Sequence, residues 1–102
     1  MTDIRHPRTA LTRRILAGDG QSSSSERRAA FDNSGLAGPR ETLLDKVARH
    51  AFRVTDEDIA AAMASGLSED QVFEMVVCAA VGQATRQYES ALAALEAASA
   101  KE

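Results

Sequence analysis

Tryptophan is absent from this chain of 102 residues, and cysteine occurs once, at Cys78. A lone cysteine excludes an internal disulfide and a thiolate-rich metal cluster. No apolar run reaches the length of a membrane span, and the N-terminus has no apolar signal-peptide core. The expectation is a cytoplasmic protein whose thiol stays reduced. Large apolar side chains are also scarce. Hydrophobic residues make up 44% of the chain, yet twenty of those forty-five are alanine, which favours helix and adds little to a core. A single small domain of this composition buries a thin core. With disulfide and metal cluster excluded, self-association is the expected further source of stability.

Acidic and basic residues are unevenly spread within a net charge of −3. Residues 1–53 hold ten Lys/Arg against six Asp/Glu, and residues 54–102 hold two against nine. Such asymmetry steers a partner or reflects halves that complement each other in an assembly.

Helix signals run through most of the chain. Pro7 opens a short stretch through Ala17 that Gly18 and Gly20 end. Ser23 and Glu26 have capping-box spacing for a brief helix through Phe31, broken at Asn33-Ser34-Gly35. The basic pairs Arg13/Arg14 and Arg27/Arg28 suit either a phosphate-binding arm or solvated surface and subunit contacts. No aromatic residue is interleaved to stack on a base. Residues 1–38 are therefore expected as an arm, partly helical or flexible.

The ordered domain is expected over 39–98, with Pro39 at its first helical position. Leu43, Leu44, Val47, Ala48 and Ala51 share one face of that helix, opposite Asp45, Lys46, Arg49 and Arg53. Thr55 and Asp58 cap a short helix, and Gly66 fits the left-handed position that ends it. Ser68 with Gln71 opens a long helix from Glu69 to about Ala98, and residues 99–102 are expected as a disordered tail. Between Val72 and Val81 the only polar residue is Glu74. A helix apolar on nearly all sides must be covered on nearly all sides, so the 69–98 helix is the expected seam between copies.

The stretch Val54-Thr55-Asp56-Glu57-Asp58-Ile59, the junction Gly66-Leu67-Ser68-Glu69-Asp70, then Phe73-Glu74 and Ala79-Ala80-Val81-Gly82 resemble short members of the carboxymuconolactone decarboxylase-like family. The resemblance covers roughly residues 39–98 and extends faintly to Arg13-Arg14-Ile15-Leu16-Ala17-Gly18. It implies an all-α, alkylhydroperoxidase D-like helical bundle that is oligomeric. The redox branch of that family carries C-x-x-C-x-x-x-H before the helix-ending glycine. Counted back from Gly66, those positions hold Ala51, Val54 and Asp58. Thiol peroxidase chemistry needs an attacking thiolate and a resolving thiol, and alanine and valine supply neither. The branch's proton-relay acid precedes the first cysteine by a dozen or so residues, and Glu41 lies ten before Ala51.

Candidate site residues are Glu41, His50 and Glu74. Glu74, a carboxylate in an apolar run, needs a partner. It is read either as a general acid/base or as the partner of Arg49, Arg53 or His50. His50 lies at the edge of its helix's apolar face, and histidine suits acid/base work near neutral pH. The alternative is a boundary histidine with one backbone or carboxylate contact. Cys78, inside the apolar run and one turn from Glu74, reads as a small buried hydrophobe rather than a nucleophile.

No cofactor or metal is expected. Asp56-Glu57-Asp58 is explained by helix capping and lacks calcium-loop spacing. No Gly-rich phosphate loop or Ser-His-Asp order appears. Ala62, Gly66 and Val72 follow helix-turn-helix spacing, but Val54 to Thr85 holds six carboxylates and no Lys or Arg. Phosphates would repel such a reading helix, so DNA is not an expected partner. Two functions remain: a non-catalytic assembly or partner-binding module, or a cofactor-independent enzyme acting on a small carboxylate or lactone.

Overall fold

Each capping signal is used in the folded chain, a computed structural model that describes residues 6–100. Five α-helices follow in order: α1 (His6–Ala17), α2 (Ser24–Asp32), α3 (Gly38–His50), α4 (Asp56–Ala64) and α5 (Glu69–Ala100). A 3-10 turn over Ala51–Arg53 joins α3 to α4. Ser23 Oγ accepts from Glu26 N at 3.1 Å while the Glu26 carboxylate accepts from Ser23 N at 3.2 Å. Thr55 and Asp58 close the same box before α4, and Ser68 and Gln71 do so before α5. Gly66 takes φ +115°, the left-handed backbone expected of it.

Helix α5 organises the rest. Its 32 residues correspond to about 48 Å of helix, and the molecule measures 54 × 28 × 20 Å. The radius of gyration is 15.6 Å, against about 13 Å for a compact chain of this length. Helices α2 and α3 pack most extensively on α5, α4 bridges α3 and α5, and α1 lies on α2 and α5. The core gathers Ala30 and Phe31 from α2, Leu43 and Leu44 from α3, Ala62 from α4, Leu67, and Val72, Met75, Cys78 and Ala79 from α5.

At Gly82 two backbones meet. A Cβ there would lie 2.7 Å and 2.9 Å from the carbonyl carbon and Cα of Phe31. Glycine in a helix interior costs about 1 kcal/mol relative to alanine, and here it allows the end of α2 to rest directly on α5. One turn later, Arg86 Nη1 donates to the Phe31 carbonyl at 2.6 Å. That places a cation at the negative end of α2 and satisfies one of its terminal carbonyls.

Three expectations change. The boundary at Pro39 does not separate an arm from a body, because Ala30 and Phe31 stand in the core and Ile15 and Leu16 pack against it. The local pattern of α2 is short and polar, and only its contact with α5 makes it structural. Ala51 leaves the apolar face of α3: the chain turns at His50 (φ −147°, ψ 59°) into the 3-10 turn, and Ala51 is exposed. Ser99 and Ala100 continue α5 rather than form a tail, and residues 101–102 lie outside the described residues.

The apolar run of α5 is also less enclosed than its composition suggests. Val72, Met75, Cys78 and Ala79 are buried, but Phe73 is 68% exposed and Ala80 is exposed.

Candidate functional site

The loop between α1 and α2 carries a polar cluster built around Glu74. Projecting from α5, the Glu74 carboxylate accepts from Gln21 N at 2.6 Å and Ser22 N at 2.7 Å. Gly20 lies so close that a Cβ there would stand 2.6 Å from Glu74 Oε1. Gln71, one turn earlier on α5, donates its side-chain amide to the Gln21 carbonyl at 3.3 Å. One face of α5 thus holds both the donors and an acceptor of a single loop. The Gln21 amide is the largest influence on the Glu74 carboxyl, and with Ser22 and the Arg27 charge it keeps the group below its usual range against the opposing effect of burial.

Arg27 sits beneath this loop and is only 7% exposed. Its Nη1 donates to the carbonyls of Ile15 at 3.1 Å and Gly18 at 2.7 Å. Those carbonyls end α1, so a buried guanidinium closes that helix while offsetting the Glu74 charge. Cys78 completes the cluster, its Sγ 3.9 Å from the Ile15 carbonyl. Burial pushes the thiol up, Arg27 pulls it down and Glu74 adds to the rise. A shallow pocket of about 330 Å³ opens beside these groups, walled by Leu11, Ile15, Phe73 and Val77.

Chemically, this cluster is a clamp. Glu74 is held ionised by fixed amides, which is the reverse of a proton donor with a raised pKa. Cys78 is held as a thiol, the unreactive form. The expected pairing of Glu74 with Arg49, Arg53 or His50 is corrected: Arg49 binds Asp45 at 3.0 Å, and the partners of Glu74 lie some fifty residues earlier in the chain. The reason is topological, since the α1–α2 loop rather than α3 covers that face of α5.

The other candidates stand apart. Glu41 is exposed in the first turn of α3 and His50 is exposed in its last turn, separated by about 13 Å of helix rise. The His50 ring meets Phe52 edge-on at 6.0 Å between centroids. Glu41, His50 and Glu74 therefore are not gathered into one concave site. Asp58 accepts from Lys46 Nζ at 2.9 Å and from Thr55 N at 3.0 Å. The hydrogen bond from Lys46 is the main cause holding its carboxyl below the usual range. Among the described residues, no three His, Cys, Asp or Glu side chains come together as metal ligands do, and no helix is long and apolar enough to cross a membrane.

Sequence reasoning missed Arg27 and Arg86. Arg27 belonged to a basic pair read as an arm or surface, and nothing local distinguishes it from its exposed neighbour Arg28. Gly82 did carry a signal: a glycine inside a long alanine-rich helix marks a close approach of backbone.

The described residues form an all-helical protein in which the Glu74 cluster is a structural clamp. No family model matches this chain, and no curated protein or solved structure matches it either.

Proposed function

We propose that this chain is a cytoplasmic, non-catalytic assembly module: a helical scaffold that associates through α5 with a second copy or another protein. The observation that carries this reading is the outward side of α5, where Phe73 is 68% and Leu95 62% exposed among small apolar residues. Exposed apolar surface running the length of a helix marks an interaction site. The separation of His50 from both carboxylates, and the use of Glu74 as a clamp, support a role without acid/base chemistry. Descent from a carboxymuconolactone decarboxylase-like, alkylhydroperoxidase D-like scaffold is part of the proposal. It rests on the Gly66-Leu67-Ser68 junction and the helix order, with Ala51 and Val54 at the redox cysteine positions. The acidic start of α5, Glu69 and Asp70, favours a protein partner over nucleic acid.

Sedimentation velocity at micromolar concentration tests the proposal. Species at multiples of the 10.9 kDa chain mass are expected. A sharp single-chain boundary at every concentration, with no protein partner engaging the α5 face, would overturn it.

A further inference from the structure

Helix α5 carries two apolar faces. The inward one is Val72, Met75, Cys78, Ala79 and Gly82. The outward one steps by alternating four and three residues through Phe73, Val77, Ala80, Ala84, Gln87, Ala91, Ala94 and Ala98. All eight are exposed except Val77, which is half-buried. At 3.6 residues per turn, Ala84 lies about 180° around the helix from Met75. Phe73 and Val77 wall the pocket beside α1, but from Ala80 to Ala98 this face is exposed, and between Phe73 and Ala98 it keeps the seven-residue rhythm of a helix-pairing seam without a single charge.

Surface area argues for a cover. The chain exposes 6867 Å², whereas a compact monomer of this mass exposes about 5,600 Å². An elongated molecule of 54 × 28 × 20 Å has surface to spare for the roughly 800 Å² per partner that a stable complex buries. Charge agrees. Glu89 and Glu96 of α5 lie off the seam, Glu69 and Asp70 stand just before its first residue, and Glu74, at its edge, is engaged by loop amides.

We propose that a second copy of this chain covers the seam, with the two α5 helices antiparallel and Ala84 of one copy opposite Gln87 of the other. This rests on the assembly reading above and specifies its partner, orientation and register. The same register sets Phe73 against Ala98, Val77 against Ala94 and Ala80 against Ala91. Large residues at the start of the seam meet small ones at its end, so the gap between helices stays even. A parallel pair would oppose Phe73 to Phe73 and leave the alanine end loose. Antiparallel alignment also sets the helix dipoles head to tail. Alanines at the contact let the axes approach to about 8 Å. Gln87, the one polar seam residue, lies within about 5 Å axially of its own copy. There, paired amides fix register as buried polar residues do in coiled coils.

Two measurements test this. Ala84→Glu, at a position exposed in the single chain, places carboxylates in the centre of the seam. It is expected to weaken association by about a hundredfold or more while circular dichroism shows helix content unchanged. Spin labels at Glu69→Cys and Glu89→Cys, each in a Cys78→Ala background, read the orientation. Antiparallel pairing separates the first pair of labels by about 50 Å along the axis and the second by about 10 Å. Parallel pairing leaves no axial separation at either site. A wild-type dimer in which Ala84→Glu still associates as tightly, or in which labels at 69 are close, overturns this pairing and leaves the assembly reading standing. A wild-type monomer overturns the pairing outright.

Discussion

Replacing Gly82 with alanine separates two opposed effects by sign. In an exposed helix interior, Gly→Ala stabilises by about 1 kcal/mol through helix propensity. At Gly82 the new methyl would stand 2.7 Å and 2.9 Å from backbone atoms of Phe31. Backbone cannot rotate aside, so α2 must lift from α5. Overpacking of this kind costs about 1–3 kcal/mol, and lifting α2 also stretches the 2.6 Å bond from Arg86 to the Phe31 carbonyl, costing about 1 kcal/mol more. The net expectation for Gly82→Ala is a loss of about 2 kcal/mol, or roughly 10 °C in Tm for a domain of this size. Urea unfolding followed by circular dichroism reads it, with both proteins at one concentration because association shifts apparent stability. Equal or greater stability of Gly82→Ala would refute the close contact between α2 and α5.

Glu74→Gln keeps the shape of the clamp but turns an amide NH₂ toward one of two backbone donors, Gln21 N or Ser22 N. A loss of about 1 kcal/mol at neutral pH is expected, the figure for hydrogen bonds to a charged group reduced for solvent screening. Because the folded state holds the Glu74 carboxyl below its ordinary range, its contribution is present at neutral pH and lost as pH falls through the folded-state pKa. Urea midpoints across acid pH should therefore fall less steeply for Glu74→Gln than for wild type, and parallel curves would refute the clamp. Cys78, buried and with its thiol pushed up, should react with an aromatic disulfide reagent at least about tenfold more slowly in native than in urea-unfolded protein. Rapid labelling of native protein at neutral pH would show that the site opens.

Much of the helix plan is legible without coordinates, because its causes are local. Thr55 with Asp58 and Ser68 with Gln71 satisfy backbone donors three residues away, and Gly66 takes a backbone conformation other residues resist. Such signals need only neighbouring residues to be read. Leu43, Leu44 and Ala48 were likewise readable as core from their spacing, and all three are buried. The site was read less well. Glu74 was recognisable as a carboxylate in need of a partner, but its partners were not, since its choice between α3 and the Gly20–Ser22 loop depends on which element crosses α5.

Chain order and capping chemistry therefore determined where helices start and stop, and that α5 is long and apolar beyond the needs of one face. Tertiary structure alone decided that Arg27 is buried while adjacent Arg28 is exposed, that α2 belongs to the core, and that α5 turns Met75 inward and Phe73 outward. The physical reason is distance along the chain. A cap acts over three residues, whereas the Glu74 clamp and the Gly82–Phe31 contact join segments some fifty residues apart, and only packing brings those together.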